Sequence, residues 1–278
     1  MYRINVYVVT YKNEERVNQN IDAFFYSIEN VDKEKYSFQY HVINNHSNFN
    51  LTSKFADQVK VLHNSLRLDR SCGHLSRDYN SAIMHGFVDL NAPACNQVIC
   101  AHDDSIWHAD WLEKLMKIHE TFTFYAGDYG CSMTSYLPEA VKKIGLWDER
   151  FAGLGYHEAD YYLRARIYNS DKSSINDHFG GRTLNPTEVL FNHVGPNPAK
   201  HEHVNASLPY HAISRRVFAE KWGVHPEQWA TRTPTPPTKP MIPTYMYYPY
   251  FELAIDDLEG KNYIFEQAGL QYFKSEWH

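Results

Sequence analysis

The sequence predicts an α/β fold, a mostly parallel central sheet flanked by helices, and three observations carry that expectation. Apolar, β-branched runs alternate with segments of helical periodicity through the first half of the chain. Each strand-like run ends in a cluster of polar residues, the pattern of strand ends that open onto a ligand crevice. The length of 278 residues, with 43% hydrophobic and 22% charged, suffices for one large core of this kind.

The elements follow in order. "INVYVVTY" (4–11) is a buried strand, and "KNEERVNQNIDAFFYSI" (12–28) is a helix with Val17, Ile21, Phe24, Phe25 and Ile28 on one face. "FQYHVINN" (38–45) is a second strand running into turn chemistry, "QVKVLHN" (58–64) a third, and "HLSRDYNSAIMHGFVDL" (74–90) a helix. "QVICAH" (97–102) is the fourth strand and "ADWLEKLMKIHETF" (109–122) the next helix. Strands alternating with helices imply parallel neighbours joined by right-handed crossovers.

The second half changes character. Residues 130–167 read as a short strand, a helix from about Pro138, a loop with Gly153 and Gly155, and a further helix. Residues 170–191 read as irregular, with a short strand at "TEVLF" (187–191), followed by a loop over 193–203. "ISRRVFAEKWG" (213–223) is a helix stopped by Gly223. "TPTPPTKPMIP" (233–243) is too rich in proline for helix or inner strand and reads as an extended strap before an aromatic tail. No internal repeat is found.

Composition narrows the function. A net charge of −6 argues against a nucleic-acid partner, which needs clustered Lys and Arg, so any phosphate must be met by local basic residues or a metal. Aromatic residues make up 15%, with 21 Tyr, which suits either flat sugar- and nucleotide-binding faces or an aromatic core. With a strand beginning by Ile4 there is no room for a signal peptide, and no apolar run reaches ~18 residues, so no transmembrane segment is expected. Cys72, Cys95, Cys100 and Cys131 have no C-x-x-C spacing and read as reduced thiols of a cytoplasmic protein, which makes the sequons at 50–52 and 205–207 chance matches.

The most informative stretch is "CAHDDSIWHADWL" (100–112). An apolar strand runs into Asp103 and Asp104, two like charges that repel unless a cation or a donor-rich ligand lies between them. Capping the next helix is the bland alternative, but Asp110 is available for that.

The order of motifs resembles the family-2 glycosyltransferases of the GT-A fold, from residue 4 to residue 223. "VVTYKNEERVNQNIDAF" is similar to the family's opening strand and helix, "VINNHS" to its second strand end, and "HDDSIWHADWL" to its metal-binding D-x-D region. "GLWDERFAGLGYHEADYYLRAR" resembles the later segment that carries E-D-x-D, and "KWG" at 221–223 has its counterpart. The resemblance implies a Rossmann-like GT-A sheet with a nucleotide-sugar-binding half (1–125), a smaller acceptor-side catalytic half of the same domain (126–232), and the strap with its aromatic C-terminal extension (233–278).

It also implies roles. Asp104 becomes the direct ligand of Mn²⁺ or Mg²⁺, and Asp103 a contact to ribose or metal-bound water. His193 stands where relatives place a metal ligand or phosphate contact, with an exposed loop histidine as the alternative. Glu158 takes the place of the catalytic base; Glu for Asp and His157 for the usual Glu are departures from E-D-x-D. Asp160, four residues before Arg164, reads as a structural ion pair. Thr10, Tyr11 and Asn44 fall at nucleotide-binding strand ends, with Asn44 replacing an Asp that usually meets uracil. Arg70 and Arg77 are candidates for base or diphosphate contacts. Trp147 reads as core, and Trp107 as either core or a sugar face. The function implied is metal-dependent, inverting transfer of a sugar from a nucleoside-diphosphate sugar, UDP first, to a hydroxyl of a glycan or other acceptor. A non-catalytic sugar- or nucleotide-binding module and a sugar nucleotidyltransferase are the rivals, although "TYKNEERVN" lacks the latter's glycine-rich phosphate loop. The aromatic tail closes the acceptor site or builds a homodimer.

Overall fold

The computed structural model describes residues 1–11, 13–45, 50–63, 75–127, 130–151, 156–177, 183–194 and 213–222. Arg70, Cys72, Gly153, Gly155, Gly223, the strap and the aromatic tail lie outside the described residues.

The elements in chain order are β1 (Tyr2–Thr10), α1 (Glu14–Ser27), β2 (Tyr36–Asn44), β3 (Val59–His63), α2 (Leu75–Phe87), β4 (Gln97–His102), β5 (Ser105–Trp107), α3 (Trp111–His119), β6 (Phe124–Ala126), β7 (Met133–Tyr136), α4 (Pro138–Ile144), α5 (Tyr156–Tyr168), β8 (Ser173–Ile175) and β9 (Phe191–His193). Residues 213–222 form a further helix, α6. Seven strands make one sheet in the order β3-β2-β1-β4-β7-β6-β8. Only β7 runs against its neighbours; every other adjacent pair is parallel. The fold is the expected α/β arrangement, and strands from both halves of the chain share the one sheet.

β1 is apolar from Val6 to Val9 because it is covered on both faces. Ile4, Val6 and Val8 pack with α1 and α3, through Val17, Ile21, Phe24, Trp111 and Leu115. The alternate residues Tyr7 and Val9 pack with α2, α4 and α5 on the opposite face. Register sets the strand ends level: Thr10 pairs with Asn44, Asn44 with His63, and Val9 with His102. Four polar strand ends therefore lie in one row along the carboxyl edge.

Some expectations shift. The strand expected at 187–191 lies instead at β9, because its partner is the short β5 and the register joins Ser105 to His193 and Trp107 to Phe191. The segment expected to be irregular contains β8, whose serines give no apolar alternation. Its buried hydroxyls are satisfied locally, Ser173 by Asn169 Nδ2 at 2.8 Å and Ser174 by Thr187 at 2.8 Å. Helix α2 ends at Phe87, before Val88 at a φ of 64°. Asp110 precedes α3 without a side-chain capping bond; its carboxylate meets Lys114 Nζ at 3.0 Å. Both tryptophans are core: Trp147 stacks on Tyr161 at 4.2 Å, and Trp107 Nε1 donates to buried Asn20 at 2.7 Å. Cys95, Cys100 and Cys131 are buried free thiols. Among the described residues, no helix is long and apolar enough to cross a membrane.

A buried ion cluster fixes α5 from outside. Lys221 Nζ, fully buried, lies 3.0 Å from Asp148 and 2.6 Å from Asp160. Arg164 meets Asp160 at 3.0 Å, the expected pair four residues apart, and Trp222 Nε1 donates to the same carboxylate at 3.0 Å. Phe151, Ala159, Leu163, Phe218 and Trp222 pack beside it. Burial pushes the Asp148 carboxyl up, but Lys221 and then Arg150 outweigh it and hold it well below the usual range. The folded state therefore takes up this proton later than the unfolded chain. The stabilisation is complete above the unfolded value of about 3.9 and is lost as pH falls towards the folded one. Asp148→Asn strands part of the Lys221 charge and is expected to cost about 3–5 kcal/mol at neutral pH, with a flatter acid-unfolding profile below about pH 4. Denaturant titrations of both proteins across pH check this.

Candidate functional site

The row of strand ends holds the two aspartates in a turn between β4 and β5. One amide fixes that turn. Asn20 Nδ2, on fully buried α1 surface, donates to the Ser105 carbonyl at 2.7 Å and to the His102 carbonyl at 3.3 Å, the residues that flank the pair. Its Oδ1 accepts from Trp107 Nε1 at 2.7 Å and from the Tyr40 hydroxyl at 2.8 Å. Backbone bonds complete the clamp, from Asp103 N to the Val9 carbonyl at 3.2 Å and from Val194 N to the Asp104 carbonyl at 3.1 Å.

The two carboxylates then diverge. Asp103 accepts from the Thr10 hydroxyl at 2.8 Å. Asp104, fully buried, has Oδ2 3.1 Å from His193 Nε2 and Oδ1 3.9 Å from His102 Nδ1. The β5–β9 pairing brings His193 there, because it opposes Ser105, one residue after Asp104. Burial, then Arg16, lowers the His193 pKa, which favours the neutral ring, the form that ligates a cation. The residues fit a hard divalent cation: a buried carboxylate and a neutral imidazole converge, leaving the remaining positions to ligand oxygens. Asp103, turned towards Thr10, does not close a three-ligand group with them.

Glu158 lies on the first turn of α5, at the same edge. Its Oε1 accepts from Cys131 N at 3.0 Å, in the turn that enters β7. That turn is held from below by the Tyr79 hydroxyl on the Cys131 carbonyl at 2.6 Å and the Tyr162 hydroxyl on the Gly130 carbonyl at 2.7 Å. Gly130 has a φ of 67°, and a Cβ there would collide with the Glu158 carboxylate, so both the backbone angle and the close approach require glycine. Cys131 Sγ lies 3.3 Å from His157 Nε2 and 3.7 Å from His102 Nε2. His102 and Cys131 thus bridge the Asp104 turn to the Glu158 turn.

The other sequence candidates divide. Asn44 is buried beside Thr10 at the level strand ends, and Tyr11 follows half-buried. Arg77 is on α2, where its Nε meets Glu149 at 3.2 Å. Asp160 belongs to the ion cluster. Sequence reasoning did not single out His102, Cys131 or Arg16 as site residues, and knew His157 only as a departure. His102 was readable as the last residue of a strand entering the aspartates; "GCSM" carried no signal for Cys131.

Removing the clamp tests whether the aspartate turn depends on it. Asn20→Ala leaves a buried indole N–H, a phenol and two carbonyls without this partner, and is expected to lower stability by about 3 kcal/mol, read by urea unfolding. Asn20→Asp, which retains acceptors and loses the donors to the turn, is expected to recover little of it.

No family model and no curated protein matches the chain. Among solved structures it is similar to a mannosyltransferase from Pyrobaculum calidifontis in complex with GDP-Man and Mn²⁺, at 11% identity and a TM-score of 0.47, covering 100% of this chain and 84% of that one. It is similar to S. aureus TarS in complex with UDP at 10% identity and a TM-score of 0.45, covering 99% and 88% of the two chains. It is also similar to a Drosophila galactosyltransferase in complex with manganese, UDP-Gal and xylobiose, at 9% identity and a TM-score of 0.43, covering 73% and 74%. At this level the likeness assigns no activity to the present chain.

Proposed function

We propose that this chain is a metal-dependent inverting glycosyltransferase that moves a sugar from a nucleoside-diphosphate sugar, with UDP as the first candidate, to a hydroxyl acceptor. One observation carries the reading: a buried aspartate suited to a cation and a half-buried glutamate suited to a base are brought to one edge by different halves of the chain, joined through His102 and Cys131.

Asp104 and His193 hold the cation, Mn²⁺ or Mg²⁺, which supplies charge stabilisation for the departing diphosphate. Asp103, oriented by Thr10, accepts from a ribose hydroxyl, while Asn44 and Tyr11 meet the base by hydrogen bonding and stacking. Arg16, whose charge is felt at His193, adds positive potential on that side of the site. Glu158 takes the acceptor's proton as its oxygen attacks the anomeric carbon opposite the leaving diphosphate. The bond to Cys131 N fixes one carboxylate oxygen and with it the direction of the base. Attack opposite the leaving group inverts the anomeric centre.

The test uses two variants and two readouts. Glu158→Gln is expected to lose transfer by about 10²- to 10⁴-fold while keeping nucleotide binding, whereas Asp104→Asn is expected to lose Mn²⁺-dependent nucleotide binding itself. Calorimetry with UDP and Mn²⁺, beside release assays over UDP-, GDP- and dTDP-sugars with a hydroxyl acceptor, separates them. Near wild-type transfer by Glu158→Gln removes Glu158 from the mechanism. Nucleotide binding by the wild type without turnover on any donor or acceptor would favour the non-catalytic binding module.

A further inference from the structure

The contact between the two turns has a composition that sugar transfer does not require. Cys131 Sγ, a nitrogen of His157 and a carboxylate oxygen of Glu158 all lie within 4.8 Å of one another. His102 Nε2 lies 3.7 Å from the sulfur but outside that three-ligand group. A tetrahedral zinc ion, with bonds of about 2.3 Å to sulfur and 2.0–2.1 Å to nitrogen, separates those ligands by about 3.6 Å. The His157 nitrogen stands 3.3 Å from the sulfur, close to that value. A thiolate with imidazoles selects a borderline cation such as Zn²⁺ over Mg²⁺ or Mn²⁺, which favour oxygen donors.

We propose that Cys131, His157 and Glu158 form a second cation site that takes Zn²⁺, with the remaining position left to water, and that filling it withdraws the Glu158 carboxylate from proton transfer. The binding part rests on geometry alone; the regulatory part rests on the reading of Glu158 as the base. Binding displaces the thiol proton to solvent as the sulfur becomes the ligand. Without the cation that proton is held, because burial and then Glu158 push the Cys131 thiol well above its ordinary value. The turn itself is already shaped for the purpose, since Tyr79, Tyr162 and Glu158 fix its backbone.

Cobalt reports on such a site directly. Metal-stripped full chain titrated with Co²⁺ is expected to bind one ion with a thiolate-to-cobalt charge-transfer band. Zn²⁺, but not Mg²⁺, should displace it. The band should vanish in Cys131→Ser, and His157→Gln should weaken the affinity by about tenfold or more. Absence of the band in the wild type overturns the site, as does a band that survives Cys131→Ser and so belongs to another cysteine. For the regulatory part, Zn²⁺ added to the Mn²⁺-loaded enzyme should reduce transfer by about tenfold or more in the wild type, and the ratio with and without Zn²⁺ should return towards one in Cys131→Ser. Unchanged transfer at a Zn²⁺ concentration that fills the site overturns the regulatory part. A chain that shows the cobalt band yet never transfers sugar refutes the glycosyltransferase reading and leaves the metal site standing.

Discussion

The architecture of the site depends on a single buried amide. Asn20 uses two donors and two acceptors at once, holding the carbonyls on both sides of Asp103 and Asp104 while anchoring Trp107 and Tyr40 in the core. A tight turn bearing adjacent carboxylates is electrostatically unfavourable, and the like charges would separate if the backbone were loose. The clamp converts that repulsion into divergence: one carboxylate turns to Thr10 and the other to His193. The result is one carboxylate held on the Thr10 hydroxyl and one facing the His193 ring.

The second half of the chain contributes its chemistry by a different constraint. Helix α5 is buried on nearly all sides, between the sheet core and α6, and its buried Asp160 and Arg164 are paired within the Lys221 cluster. A helix held this firmly presents Glu158 from its first turn with little freedom. The Gly130 turn meets it from the sheet side, and only a residue without a side chain permits that approach. Antiparallel β7 is what carries the turn to this place, pairing Met133 with Ala101 and setting Ser132 against His102. Antiparallel β7 thus lies between the Asp104 turn and Glu158.

Much of this was legible in the sequence. The alternation of apolar strands and helices reached the mostly parallel sheet, because burial on both faces leaves a strong signal in composition, and the polar strand ends do lie level along one edge. Asp103 and Asp104 were readable because adjacent charges at the end of an apolar strand are costly unless compensated, and Asp160 because Arg164 stands four residues on. The rest lay in tertiary pairing. β8 is written in serines, so its periodicity is silent. α5 has almost no amphipathic stripe because a second helix covers its outer face, and only the resemblance to family-2 enzymes drew attention to Glu158. The meeting of His102, Cys131 and His157 depends on the β4–β7 register, which no local pattern encodes.

Anomalous diffraction at the manganese edge, from crystals grown with Mn²⁺ and UDP, tests the central claim most directly. The account predicts one strong manganese peak between the Asp104 carboxylate and the His193 ring, sharing oxygens with the diphosphate, and the uracil beside Thr10 and Asn44. A nucleotide bound elsewhere, or manganese seated away from Asp104, would contradict it.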